Sequence, residues 1–120
     1  MNRKYRIVKS AEFKRVRGEG KTTAHPLVVL VTLDGNAENA RAGIVTSKAI
    51  GNAVQRNRVR RRLRAVLSSL LPKVTKNVDI LVIARKPIRD AQFYEITGAV
   101  NELLVRAKCL EENDNPRRSG

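Results

Sequence analysis

The chain has little of what catalytic sites in proteins are usually built from. Of its 120 residues one is cysteine and one is histidine, and aromatic residues amount to 3% with no tryptophan. The lone Cys109 cannot close an intrachain disulfide, which fits a reducing cytoplasm; it reads as a small packing residue or a partly exposed thiol. His25, ahead of Pro26 in an extended stretch, has no second histidine or cysteine with which to ligate a metal or activate a nucleophile. Acidic residues are scarce, and Asp34, Glu38, Asp79 and Asp90 are scattered over predicted turns and strand edges, where turn chemistry accounts for them better than shared magnesium ligation. No catalytic residue, metal ligand or protein-bound cofactor is therefore expected. Long apolar runs are missing too: the longest, "PLVVLVTL", contains a proline and is strand-sized, far short of the ~20 residues of a membrane span. The basic start "MNRKYRIVKS" is not followed by the apolar segment of a secretory signal. No membrane is expected as partner.

What the chain does have is positive charge: 25 Lys and Arg against 11 Asp and Glu, a formal charge of +14 and a pI near 11.1. Such a balance repels itself in the compact state unless an anionic partner relieves it, and the expected partner is polyanionic. With 42% hydrophobic residues the length suits one domain with a modest core, here residues 1–110. The remainder, "EENDNPRRSG" at 111–120, is polar and proline-broken and reads as disordered.

Ser10 followed by "AEFKRV" reads as a capped short helix with Phe13 and Val16 on one face, ended by Gly18 and Gly20. "KTTAHPLVVLVTLD" is extended, and Pro26 marks either an edge position or a break between two strands. "DGNAEN" is a turn. "RAGIVTS" and "VDILVIA" are further strands, the latter aliphatic enough for burial on both faces or an inner position. From Asp90 to Leu110, Phe93, Ile96, Val100, Leu103, Leu104 and Ala107 recur at helical spacing.

Between the last two strands lies "GNAVQRNRVRRRLRAVL", with six arginines from Arg56 to Arg64. At about 100° per residue, Val59, Leu63, Val66 and Leu70 fall in a stripe roughly 60° wide with Leu67 at its margin, while Arg58, Arg60, Arg61, Arg62 and Arg64 spread over the opposite arc and Arg56 sits between. Asn52 is the expected N-cap, which places Arg56, Asn57 and Arg58 near the positive end of the helix dipole, where cations are disfavoured unless an anion meets them. Phosphate suits both the helix terminus and the guanidinium forks. A merely solvated face would mix signs at i and i+4, but no acidic residue occurs from Lys48 to Leu71. Nucleic acid is the expected ligand. A nuclear localisation peptide has no need of the buried stripe, and a DNA-reading helix-turn-helix would not be flanked by strands, so DNA is not expected.

"RAGIVTSKAIGNAVQRNRVRRRLRAVL" resembles the signature of the bacterial ribonuclease P protein component, with the family motif met at Gly51, Asn52, Ala53, Val54, Arg56, Asn57 and Arg58. The likeness extends to "EFKRV", to Ser47 and Lys48, and to "ILVIARKP" and the final helix. The resemblance implies an α/β (α+β two-layer sandwich) fold, a mixed sheet of about four strands packed with helices. Its arginine-rich helix would join two parallel strands by a left-handed crossover, against the right-handed form that prevails in about 98% of such units. The implied function is to assist a catalytic RNA in removing the 5′ leader from precursor tRNA. The protein would bind that RNA through Lys48, Asn52, Arg56, Asn57, Arg58, Arg60, Arg61 and Arg64, and magnesium would serve the RNA. Family members receive the leader in a cleft bearing aromatic side chains; the matching positions here are Phe13, Arg17 and Val31, so only the first is aromatic. Arg17 can stack its guanidinium on a base or pair with a phosphate, and Phe13 reads equally as a core residue of its helix. The alternative function is a ribosomal or RNA-chaperone-like binding protein without a catalytic partner.

Overall fold

The structure, a computed structural model, describes residues 1–111; the expected disorder of the tail falls on residues that, Glu111 apart, lie outside this range. In chain order the elements are α1 (Ser10–Glu19), β1 (Lys21–Ala24), β2 (Val28–Asp34), β3 (Arg41–Val45), α2 (Ala53–Leu70), β4 (Val78–Ala84) and α3 (Phe93–Arg106), with short 3-10 turns between. The strands form one sheet in the order β1-β2-β4-β3. β1 and β4 pair antiparallel with β2, whereas β3 pairs parallel with β4, so the connection between them is the arginine-rich helix. This is the mixed four-stranded sheet with helices that the resemblance implies.

Pro26 breaks the extended run: it lies in the turn between β1 and β2, where the amide of His25 donates to the carbonyl of Val28 and the His25 ring Nδ1 accepts from the amide of Leu27. A proline in mid-strand would remove a ladder donor; in the turn it removes none. The only histidine thus closes a hairpin.

Because successive strand residues point to opposite faces, the sheet has two distinct sides. Val28, Leu30, Ala42, Ile80 and Val82 form the main core with Val59, Leu63, Val66, Leu67 and Leu70 of α2 and Ile96, Val100, Leu103 and Leu104 of α3. All five expected stripe positions of α2 are buried. Among the described residues the opposite side carries α1, over a small core of Val16, Val31 and Leu81. The register divides this side into rows: Leu33, Asp79 and Arg41; then Val31, Leu81 and Gly43; then Val29, Ile83 and Val45. α1 covers the first two, and the last remains half-buried.

Three local expectations need correction. Ser10 does not cap α1 but begins it; Lys9 holds the cap position with no side-chain bond, since the turn closes through its carbonyl. α3 starts at Phe93, not Asp90, because Pro87 sits in a 3-10 turn (Lys86–Asp90) and a reciprocal Gln92–Glu95 capping box sets the helix start. Asp79 is neither at a turn nor at a strand edge: it lies inside the inner strand β4 and is 0% exposed. Its carboxylate accepts from Arg15 of α1 (2.6 Å) and from Nε and Nη2 of Arg41 of β3 (3.1 and 3.0 Å), and Arg41 also pairs with Glu12. The hydrogen bond to Asp79 raises the Arg41 pKa further above its ordinary value, against the opposing effect of desolvation. Of the two readings of Cys109 the buried one holds; burial pushes its thiol pKa up.

Candidate nucleic-acid interface

α2 is started by local chemistry that the sequence makes explicit. The Asn52 side chain accepts from the amide of Gln55 (2.9 Å) and the Gln55 side chain accepts from the amide of Asn52 (2.9 Å), a capping box that satisfies two otherwise orphaned donors. Gly51 precedes it at φ +143°, and a Cβ there would meet Gln55 Oε1 at 1.9 Å, so only glycine permits the box. The first turn of α2 carries no acidic residue. The positive end of the helix dipole and the guanidiniums that follow thus add to one another without a local anion.

None of the six arginines of α2 forms a salt bridge among the described residues. Arg60 is held by neutral partners, donating to Asn57 Oδ1 (2.9 Å) and to Thr46 Oγ1 (2.8 Å). Asn57 of the Arg-Asn-Arg motif therefore orients a guanidinium without neutralising it. Lys48 lies exposed in a 3-10 turn (Lys48–Ile50) just before the helix, and Asn52, Asn57, Arg58 and Arg61 are exposed, while Arg56, Arg60 and Arg64 are half-buried at the margin of the stripe. Along the outer face Val54, Asn57, Arg60, Arg61 and Arg64 line an open groove of about 470 Å³. Val54 is 77% exposed, an apolar floor among arginines.

A smaller pocket of about 220 Å³ joins this helix to α1: Arg60 and Arg64 face Arg6, Phe13 and Ile44 across it. Arg6, whose Nε is buried without a hydrogen-bond partner, is absent from the residues that the sequence points to. A single arginine in an irregular segment leaves no periodic signal; it is placed by the amide of Ile7 donating to the Ala42 carbonyl (3.0 Å), which lays the N-terminal segment along β3. Three guanidiniums beside a phenyl ring can take a phosphate together with its base.

Phe13 is half-buried, with its ring against Gly43, where a Cβ would come within 2.6 Å of Cε1 and Cζ. It is at once packed on β3 and open to the pocket, so Phe13 is only partly a core residue. Arg17 is exposed on α1. Val31 is not available to a ligand: at 3% exposure it is enclosed beneath α1 against Val16 and Leu81. The accessible apolar groups on that side are the half-buried Val29 and Ile83 one row away. Lys48, Asn52 and the α2 residues thus share one surface, Phe13 and Arg17 a second, and the 220 Å³ pocket lies between them. Among the described residues, no helix is long and apolar enough to cross a membrane.

The sequence matches the family described as Ribonuclease P over residues 1–108. It is 39% identical over 111 residues to the ribonuclease P protein component of Chloroflexus aurantiacus, covering 92% of this chain and 82% of that one. Against the same component from an Exiguobacterium species it is 39% identical over 112 residues, covering 93% and 97%. Among solved structures, the RNase P protein of Staphylococcus aureus superposes with a TM-score of 0.80 at 34% identity, over 89% of this chain and 98% of that one. The RNase P protein of Thermotoga maritima gives 0.76 at 26% identity, over 84% and 96%. With motif, topology and near full-length similarity in agreement, the chain belongs to the ribonuclease P protein family.

Proposed function

We propose that this chain is the protein subunit of ribonuclease P, acting with a catalytic RNA in the endonucleolytic removal of the 5′ leader from precursor tRNA. The observation that carries this reading is the outer face of α2, where six arginines stand without a carboxylate partner among the described residues on a helix whose inner face is fully packed. Lys48, Asn52, Arg56, Asn57, Arg58, Arg60, Arg61 and Arg64 face the RNA subunit, and the pocket at Arg6, Phe13 and Arg60 leads from that surface to α1, where Phe13 and Arg17 meet the single-stranded leader. The protein supplies charge neutralisation and alignment; the chemical step and its magnesium belong to the RNA. Precursor transcripts are processed where they are made, which sets the work in the cytoplasm. High magnesium and salt replace part of the protein's screening, so the benefit of adding protein shrinks as both rise.

The test is leader cleavage by the cognate catalytic RNA at low magnesium, with and without the chain, on precursors with and without a leader. Acceleration by the protein, together with tighter holoenzyme binding of the precursor that carries a leader, supports the reading. A chain that binds the RNA without accelerating cleavage is an RNA-binding protein of the other kind.

A further inference from the structure

Half of the chain's four aromatic residues lie together at the start of α3 and face solvent: Phe93 is 45% exposed and Tyr94 is 75% exposed. They contribute to neither core; Ile96, Val100, Leu103 and Leu104 do that work in α3. Scattered exposed aromatics need no explanation, but these two are adjacent and follow a basic stretch of chain. The rings occupy the first two positions of α3, which follows the 3-10 turn Lys86–Asp90 after the extended residues Ala91 and Gln92. That turn and its cap contribute Arg85, Lys86 and Arg89, none in a salt bridge among the described residues; Arg85 donates one long hydrogen bond, to the His25 carbonyl (3.4 Å). Of the two carboxylates nearby, Glu95 is engaged in the helix cap, accepting from the amide of Gln92 (2.8 Å), and Asp90 is exposed.

The same turn packs on the Lys48–Ile50 turn and on α2, through the buried Ile50 and Ile88. The aromatic pair is thus joined through packed elements to the arginine surface. Two exposed rings that follow a basic turn in the chain suit a polyanion that also offers flat apolar faces, which is an unpaired stretch of RNA.

We infer that Phe93 and Tyr94, with Arg85, Lys86 and Arg89, form a second RNA contact that stacks an unpaired nucleotide of the large RNA subunit. The inference rests on the proposed assignment of that RNA as partner. It extends the RNA footprint from one helix to a surface that turns the corner onto α3.

The chain suits a direct test, because Tyr5 and Tyr94 are its only tyrosines. With 3-fluorotyrosine incorporated, ¹⁹F NMR yields two signals, and Tyr5→Phe assigns them. On titration with the cognate catalytic RNA the Tyr94 signal shifts, and Tyr94→Ala weakens RNA affinity about fivefold or more, as removal of one stacking ring does, while Tyr94→Phe retains it. Arg56→Ala/Arg60→Ala/Arg64→Ala is measured in parallel. If the triple variant binds the RNA as tightly as the parent, the partner assignment fails and takes this inference with it. If the triple variant loses affinity while Phe93→Ala and Tyr94→Ala remain within twofold of the parent and the Tyr94 signal stays unmoved, the second contact alone is overturned. Free protein that sediments as a dimer, dissociated by Tyr94→Ala, would also overturn it, assigning the rings to a second copy of the chain.

Discussion

Two groups of arginines in this protein meet opposite fates. Arg15 and Arg41 converge on the fully buried Asp79, with Glu12 completing the network, and they hold α1 to the sheet where the buried hydrophobic residues are Val16, Val31 and Leu81, with Phe13, Val29, Leu33 and Ile83 half-buried around them. The six arginines of α2 have no carboxylate at all among the described residues, and their helix is fastened by the five apolar residues of its inner face. Identical side chains thus serve as internal fasteners in one place and as an unfilled anion site in the other. The difference lies in the acid opposite: a guanidinium with a buried carboxylate is spent on structure, and one without keeps its full field for a ligand.

That contrast can be broken at either end. The largest effect is expected on the inner face of the arginine helix itself: Leu63, 0% exposed, replaced by alanine should cost about 2 to 5 kcal/mol in urea unfolding, with the salt dependence of RNA binding unaltered in the fraction that remains folded. A destabilisation below about 0.5 kcal/mol would mean that the stripe is not core. Asp79→Ala should follow at about 3 kcal/mol, near the lower end for breaking a buried ion pair because Arg15 and Arg41 each keep one side in water. Its imprint belongs on α1, whose amides should exchange faster, and not on affinity for the RNA subunit.

The triple variant Arg56→Ala/Arg60→Ala/Arg64→Ala reverses the pattern. Its melting temperature should fall only modestly, and circular dichroism should be preserved, since no ion pair is lost and the Arg60 hydrogen bonds to Asn57 and Thr46 are worth about 0.5 to 1.5 kcal/mol each. RNA affinity should fall, and the slope of log affinity against log salt should drop by about two to three units, near one for each phosphate that is no longer neutralised. An unchanged slope would remove α2 from the interface. The smallest effect sharpens the comparison on α1: Arg17→Phe should keep discrimination between precursors with and without a leader while lowering the salt slope by about one unit, as stacking takes over from an ionic interaction. Equal weakening toward both precursors would place the leader elsewhere.

The two regions also differ in how openly the sequence announces them. The arginine helix is legible from its residues alone, because its signals are local: a glycine and asparagine at the start, a stripe at three and four, and an acid-free run between. The Asp79 network is not. Arg15, Arg41 and Asp79 are separated by 26 and 38 positions, and an aspartate near the start of a strand resembles a turn residue until the sheet register sets it beside Arg41. The same limit governs the cleft. Phe13 and Arg17 are recognisable as one helical turn, but Val31 is matched to the cleft by resemblance only, and the docking of α1 encloses it.

By itself, the sequence determined the elements in outline though not their bounds, the cap and inner face of α2, the surplus of positive charge and the family, because each is written in spacing or composition over a few turns of chain. Tertiary structure alone decided which arginines are neutralised, that Val31 lies under a helix, that Arg6 joins Phe13 and Arg60 around one pocket, and that the turn before α3 packs on α2. Those outcomes depend on which strands pair and which helix covers which row, and pairing between distant segments leaves no periodic trace in the residues that take part.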